Sequence, residues 1–286
     1  MSNYKVLIIG YGTVGQNLYK ELRALEPDIY DKYTKLDNRE RVYLPDSEDN
    51  TVLHYEYLKY DFAFICVDTP LDQNDRLDIT EVRNAINENL ADIYVIKSTC
   101  PVGTTDLLMT ETGKKIVYSP EYYGGTQHCN NFEFNFTILG GFSSNCRMVQ
   151  QILQNCYDAR HTFHIVESKT AELVKFMENS WIATKVSFCT QFYNIAQNHD
   201  IEYETLRELF ILDPRVNPSH TFVYSDHPYW DSHCLNKDVL HIADSEEFAT
   251  LLQDMITFNN QQKNACNAAE WLADYLEHKK SKRNER

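Results

Sequence analysis

The apolar run Val6-Leu-Ile-Ile9 leads straight into Gly10-Tyr-Gly12-Thr-Val-Gly15, after which residues 16–25 have helical spacing. A strand that ends in such a turn and feeds a helix limits the fold more than any other feature of the chain. The first glycine permits a tight turn, the second lets a pyrophosphate approach the backbone, and the third lets the helix pack close on the sheet. Phosphates then sit on unpaired amides at the positive end of a helix. Asp31 stands 21 positions after Gly10, where a carboxylate accepts from the ribose hydroxyls and repels a 2′-phosphate. The pattern predicts a dinucleotide site that favours NAD over NADP, and Lys32 beside Asp31 works against that preference. A glycine-rich structural turn is the other reading of the same residues.

The rest of the chain alternates as a parallel sheet requires. Residues 28–31 read as the end of a second strand, and 62–67 as a third buried run closed by Asp68-Thr-Pro70. A helix over 79–90 opens at Asp78, and 93–97, 115–118 and 136–139 read as further strands. Strands alternating with helices to about residue 165 imply a mostly parallel α/β sheet of the Rossmann-like kind, covered on both faces. The pattern then changes. Residues 169–199 keep helical spacing without Gly or Pro, 204–212 form a shorter helix stopped by Pro214, and 246–278 form one more long helix. A polar, Pro- and His-rich loop is expected over 217–236. The expectation is an NAD-binding domain over 1–166 and an all-helical domain over 167–286 that carries a cysteine loop.

Composition narrows the partners. The 286 residues include 42 acidic and 27 basic side chains, a formal charge of −15 that repels nucleic acid and anionic membranes. The basic end from Lys279 to Arg286 reads as a solvated terminus. Eight cysteines, at 66, 100, 129, 146, 156, 189, 234 and 266, include no C-x-x-C pair, so neither a metal ribbon nor a disulfide scaffold is expected. His220, His227 and His233 lack the spacing of a metal site, and no metal is expected. The four apolar residues at the start are too few for a signal peptide, and no run nears the ~20 residues of a membrane span. A cytoplasmic protein is expected, in which the Asn135-Phe-Thr137 sequon is a chance match.

The second constellation is Asp231-Ser-His-Cys234-Leu-Asn-Lys237-Asp238. Cations near a thiol favour the thiolate, so Cys234 reads either as a nucleophile or as one loop cysteine with charged neighbours. Lys175 and Asn179, four apart, fall on one helix face. They read either as a site or as ordinary helix residues. Glu121 after Pro120 can sit in a turn, Asp238 can cap a segment, and Thr99 can satisfy a strand end.

Taken together, these residues resemble the UDP-glucose/GDP-mannose 6-dehydrogenases over essentially the whole chain. The landmarks in order are Gly10-Tyr-Gly-Thr-Val-Gly15, Cys66-Val-Asp-Thr-Pro70 and Lys97-Ser-Thr-Cys-Pro-Val-Gly-Thr-Thr105. Ser119-Pro-Glu-Tyr122, Ala171-Glu-Leu-Val-Lys-Phe-Met-Glu-Asn179 and Cys234-Leu-Asn-Lys-Asp238 follow, with Asp213-x-Arg215 and Asn259-x-x-Gln262. The resemblance implies oxidation of a sugar C6 alcohol to a carboxylate with two NAD⁺, through a thiohemiacetal and a thioester on Cys234. Lys175 and Asn179 would stabilise negative charge on the substrate oxygen, Asp238 and Glu121 would handle protons and water, and Thr99 would position water or cofactor. Gly10, Gly12, Thr13, Val14, Gly15, Asp31, Val67, Thr69, Pro70 and Thr99 would bind NAD. Lys175, Asn179, Arg215 and Lys237 would bind a sugar or nucleotide-sugar substrate.

The resemblance also implies a homodimer paired through the central helices, with Val174, Phe176, Ile182, Val186 and Phe192 as the apolar stripe. Three departures accompany it. The family's Gly-Phe-Gly-Gly-x-Cys is replaced by Tyr229-Trp-Asp-Ser-His-Cys234, so a differently shaped loop is expected. A second family glutamate falls on Gly125, and a family proline on Asn236. The family normally continues into a second α/β domain for the nucleotide, so a truncated form is expected, with a possible separate nucleotide-binding subunit. Two other readings remain: a two-electron NAD-dependent hydroxyacid or alcohol dehydrogenase, and an NAD-binding pseudoenzyme or scaffold.

Overall fold

A computed structural model describes residues 4–39, 41–45, 53–123 and 134–284. They form two compact units: Met1–Asp72 with Leu77–Lys175, and Gln73–Arg76 with Phe176–Arg286. Gly125, where the family has a second glutamate, and Cys129 lie outside the described residues.

In the first unit, β1 (Val6–Ile9), α1 (Thr13–Glu21), β2 (Asp28–Asp31), β3 (Leu36–Asp37) and the hairpin β4 (Arg41–Pro45) and β5 (Leu53–Tyr57) come first. Then follow β6 (Tyr60–Ile65), α2 (Thr80–Glu88), β7 (Ala91–Ile96), α3 (Thr104–Thr112), β8 (Ile116–Tyr118), β9 (Phe136–Gly140), α4 (Ser143–Leu153) and β10 (Thr162–Val166). Eight strands form one sheet in the order β10-β9-β8-β7-β6-β1-β2-β3. Pairing is parallel from β2 through β1, β6 and β7 to β8. It turns antiparallel at Tyr118–Gly140 and between β2 and β3.

The two-residue period of a strand divides the buried side chains between the faces. Val6, Ile8, Phe62, Phe64, Ile93 and Val95 pack in one core, and Leu7, Ile9, Ala63, Ile65, Tyr94 and Ile96 in the other. This two-sided burial is why the strands read as continuous apolar runs rather than alternating ones.

Helix α1 begins three residues before its apolar spacing does, because Gly12 serves as its N-cap. It gives way to a 3-10 turn, Arg23–Leu25, and to Glu26 at φ 48°. A residue before proline is disfavoured in the α region, and Pro27 follows. Helix α2 opens as predicted, with the Asp78 carboxylate accepting from the Thr80 amide at 2.8 Å and hydroxyl at 2.6 Å.

Helix α5 (Ser168–Asn198) leads into the second unit, followed by α6 (Tyr203–Phe210), α7 (His233–Ser245) and α8 (Thr250–Asn284). Ala183, Trp230, Val239 and Met255 form the core of that unit. Two expectations need correction. The expected loop over 217–236 stops at Ser232, whose hydroxyl caps α7 by accepting from the Leu235 amide at 3.2 Å. Cys234 therefore lies in the first turn of a helix. The apolar stripe on α5 also differs from the expected one. Phe176 is buried, and the outward positions are Leu173, Met177, Trp181, Phe188, Phe192 and Ile195. Helical spacing shows that a helix has an apolar face but not which of two apolar faces the chain itself covers.

Among the described residues, no helix is long and apolar enough to cross a membrane.

Candidate active site

Because β1, β2, β6, β7 and β8 run parallel, their C-terminal ends share one edge of the sheet, where α/β proteins bind ligands. Gly10, Asp31, Cys66, Lys97 and Ser119 stand at those ends. The ladder carries on into this edge: the amides of Gly10, Cys66, Lys97 and Ser119 donate to Tyr30, Ile9, Ile65 and Ile96 at 2.7–2.9 Å.

The glycine turn separates three roles. Gly10 sits at φ +90°, and a Cβ on it would lie 2.6 Å from the Cys66 carbonyl oxygen. A Cβ on Gly15 would lie 2.0 Å from the Gly10 carbonyl oxygen, so the chain itself requires both glycines. A Cβ on Gly12 would meet nothing within 4 Å. The small residue at 12 leaves space for something other than the chain. The N-cap residue Gly12 has no side chain to cap α1, and the start of a helix is where a phosphate cradle forms. Thr13 is exposed and Val14 packs against the core.

The Asp31 carboxylate accepts from the amides of Tyr11 (2.6 Å), Thr34 (2.7 Å) and Tyr33 (2.9 Å). Burial pushes its pKa up, but these amide bonds outweigh it and hold the carboxyl below its ordinary value. Lys32 is turned to Glu81, with its Nζ 3.0 Å from both carboxylate oxygens. These residues fit NAD.

The turns after β6 and β7 are tied together. The Thr69 hydroxyl donates to the Thr99 carbonyl at 2.8 Å, and the Ser98 hydroxyl to the Val67 carbonyl at 2.6 Å. Val67 is half-buried and Pro70 exposed beside them. Glu172, fully buried on α5, accepts from the Gly103 amide (2.6 Å) and from the Thr105 amide (2.8 Å) and hydroxyl (2.7 Å). It thereby caps α3 and anchors the turn bearing Thr99 to α5. Burial raises its pKa against those bonds.

One helical turn further along α5, the Lys175 Nζ lies 3.8 Å from Glu121 Oε1 and 5.2 Å from the centre of the Tyr122 ring. Lys175 and Glu121 are 4 % and 8 % exposed, so they meet where water screens little. The other Glu121 oxygen accepts from the Tyr123 amide at 2.8 Å. Cys66 is close enough to feel both Lys97 and Glu121, but burial pushes its thiol up to about 12, which leaves it protonated and inert.

The second unit holds the other predicted residues. Asp238 is 1 % exposed; its Oδ2 accepts from Asn179 Nδ2 at 2.6 Å and its Oδ1 from Lys237 Nζ at 2.9 Å. Cys234, one turn earlier on α7, is exposed. The expected change in the approach to Cys234 is real, and its residues compensate one another. None of residues 229–234 has a positive φ. Ser232 acts as the helix cap. Asp231 accepts from Asn236 Nδ2 at 2.7 Å and from Lys263 Nζ at 2.8 Å, so two departures from the family pattern bind each other. The Asn259 side chain donates to the Trp230 carbonyl (3.0 Å) and accepts from its amide (2.9 Å), while the indole N–H donates to Ser187 at 3.0 Å. Arg215 is exposed and forks onto Asp213 through Nε (3.0 Å) and Nη2 (2.6 Å).

The predicted residues thus fall into two groups: Gly10 to Lys175 in the first unit, and Asn179, Arg215, Cys234, Lys237 and Asp238 in the second. Lys97 and Glu172 are the residues that sequence reasoning leaves without a role. The available signal is a lone charge closing an apolar run or sitting beside one. Among the described residues, no group of three His, Cys, Asp or Glu is arranged to hold a metal.

The glycine cradle, the carboxylate at the end of β2 and the parallel sheet define a dinucleotide-binding α/β protein. The chain belongs to the UDP-glucose/GDP-mannose dehydrogenase family: the pattern of its NAD binding domain matches residues 13–161, and that of its central domain residues 169–261. NAD is the cofactor of that first domain. The chain is 26 % identical over 216 residues to a UDP-N-acetyl-D-mannosamine dehydrogenase of Methanocaldococcus jannaschii, a match that covers 71 % of this chain and 49 % of that one. It therefore spans about half the length of such curated relatives.

In fold it resembles UDP-D-ManNAc dehydrogenase from Pyrococcus horikoshii, with a TM-score of 0.72, 21 % identity, and 96 % and 72 % of the two chains covered. It also resembles 3-hydroxyisobutyrate dehydrogenase from Mycobacterium tuberculosis, with a TM-score of 0.59, 13 % identity, and coverage of 89 % and 93 %. Fold alone therefore spans two chemistries, and the family patterns separate them.

Proposed function

We propose that the chain oxidises the C6 alcohol of a nucleotide sugar to a carboxylate with two NAD⁺. The observation that carries this reading is the buried ion pair of Lys175 and Glu121, in the unit that also holds the dinucleotide cradle. A lysine and a carboxylate sheltered from water can oppose the charge that develops on a reacting oxygen and move its proton. NAD, when bound, accepts the hydrides.

The chain's own residues do the rest. Lys175 and Asn179 stabilise the negative oxygen, and Thr99 with the Val67–Thr69–Pro70 turn borders the cofactor. The Cys234 thiolate adds to the aldehyde carbon; loss of hydride from that thiohemiacetal leaves a thioester. Cys234 stands in the first turn of α7 and is exposed, so its sulfur is open to a substrate carbon. In the last step a water oxygen bonds to the acyl carbon while its proton passes to Glu121. The C–S bond then breaks and Cys234 leaves as thiolate. Asp238, held by Asn179 and Lys237, orders the water and substrate hydroxyls. Lys237 and Arg215 serve the substrate's anionic part.

Residues 1–166 act as the cofactor domain and 167–286 as the substrate and pairing domain. The exposed stripe from Leu173 to Ile195, with Leu209, Phe210 and Leu212 also exposed, is the surface on which two copies pair. Light scattering at micromolar concentration should give a dimer.

The test follows NADH absorbance with UDP- and GDP-sugars and simple hydroxyacids, using wild type and Cys234→Ala, with the chain alone and in lysate from its own source. Two NADH per sugar, reduced in the variant, are expected. One NADH per hydroxyacid, unchanged in Cys234→Ala, would establish the two-electron reaction instead. NAD binding without NADH on any substrate would establish a pseudoenzyme.

A further inference from the structure

Lys32 directly follows the carboxylate at the end of β2. In this fold the acidic residue at that strand end rejects a 2′-phosphate on the adenosine ribose, and a cation nearby accommodates one. The chain sets both kinds of residue side by side and holds them differently. Both Asp31 oxygens accept from amides of the surrounding turns, Oδ2 from Tyr11 and Oδ1 from Tyr33 and Thr34. The Lys32 ammonium reaches across to α2, where it lies 3.0 Å from each carboxylate oxygen of Glu81 in the first turn.

The surroundings keep Lys32 charged: its bond to Glu81 raises its pKa, and Glu88 acts in the same direction. Its ammonium also lies 5.5 Å from the centre of the exposed Tyr33 ring. Two other cations stand in this corner. Arg39 is committed to the fold, forked onto Asp37 (2.8 and 2.9 Å), bonded to Asn89 (2.8 Å) and stacked on the rings of Tyr30 and Tyr57. Lys35 is exposed at the far end of the turn, just before β3. The side chains of Lys32 and Glu81 are 51 % and 29 % exposed, and such a surface pair adds little to stability. A carboxylate in the first turn suits the α2 dipole, which accounts for Glu81 but not for the reach of Lys32 to it.

We propose that Glu81 is a positioning residue for cofactor choice: by holding the Lys32 ammonium on α2, it denies a 2′-phosphate the cation next to Asp31 and so enforces NAD over NADP. Asp31 supplies the repulsion, and the Lys32–Glu81 pair withholds the charge that could offset it. Released from Glu81, the ammonium is a point charge on a flexible four-carbon stem, able to pair with a phosphate on that ribose. The inference rests on the cofactor site alone and not on the sugar oxidation proposed for the chain.

The test is a double-mutant cycle read by titration calorimetry with NAD and with NADP, on wild type, Glu81→Gln, Lys32→Gln and the double variant. Glu81→Gln should raise NADP affinity about fivefold or more and leave NAD affinity within roughly twofold of wild type. The gain should shrink at high salt, because screening weakens exposed charges. In the Lys32→Gln background, adding Glu81→Gln should give a much smaller gain. Loss of the Glu81 charge by itself would help NADP equally in both backgrounds, so equal gains would overturn the proposal. So would an NADP affinity that Glu81→Gln leaves unchanged, including one too weak to detect at millimolar concentration. Unfolding midpoints of all three variants should stay close to that of wild type, since the pair is exposed. No NADH production enters the cycle: if the wild type oxidises no sugar, the affinities still decide this inference and only the functional reading fails.

Discussion

The two units hold their candidate residues in opposite ways. In the first unit the polar groups are buried and mutually bonded: Asp31 on three amides, Glu172 on Gly103 and Thr105, and Glu121 against Lys175. There the family's landmarks are kept in sequence except at Gly125. In the second unit Cys234 is exposed, and the residues leading to it have changed. Yet Asp231, Ser232 and Asn236 form the cap and hydrogen bonds that hold the start of α7. A buried constellation admits few substitutions, because each leaves a partner unsatisfied where water cannot help. A surface turn can exchange glycines for polar residues if its bonds are rebuilt together.

Substitutions can test how far that contrast holds. The largest effect is expected where the second unit is itself buried. Asp238→Ala removes the acceptor of both Asn179 and Lys237 and should cost about 3–5 kcal/mol in denaturant unfolding. A loss below about 1 kcal/mol would mean that this half is as tolerant inside as it is at its surface. Next comes Gly15→Ala, whose Cβ has no room beside the Gly10 carbonyl. It should cost on the order of 3 kcal/mol and abolish NAD binding.

Gly12→Ala is its counterpart. With open space at that position, stability should change by less than about 1 kcal/mol while NAD affinity falls at least tenfold by titration calorimetry. Equal stability losses for the two glycine variants would contradict the division of roles along the turn. Asp31→Asn tests the amide-bonded carboxylate by pH. Its folded-state pKa lies below the ordinary 3.8, so its ionisation stabilises the fold above that value, and the benefit is lost as pH falls through the folded value. The stability gap between wild type and Asp31→Asn should be constant near neutrality and narrow in acid. The smallest effect is expected at Arg215→Ala. An exposed pair with Asp213 should leave the unfolding midpoint unchanged, and any change should appear in substrate KM.

The first half of the chain is the more legible in its sequence. Gly10, Gly12 and Gly15 can be assigned from their spacing alone, because a turn between strand and helix needs small residues at fixed intervals. The parallel sheet follows from apolar runs too continuous for one-sided burial. The second half is less legible for a physical reason. Helical spacing marks 169–199 within one residue at each end of Ser168–Asn198, but it puts Phe176 on the outward stripe. A helix hydrophobic on more than one face does not disclose which face its own chain covers. The start of α7 escapes detection because a single serine cap is a weak signal inside a polar stretch.

Local spacing and linear motifs suffice for the glycine turn between β1 and α1, the mostly parallel sheet and the family. They do not show that Lys175 meets Glu121, that Glu172 bonds the turn after Thr99, or that Lys97 is buried beneath Ser119 and Pro120. Those facts belong to the packed fold, and each contact joins segments 22 to 69 residues apart. Their partners are set by which strand ends share an edge and which helix crosses them. A linear pattern carries no such information, because a buried charge takes its chemistry from neighbours that the sheet order chooses.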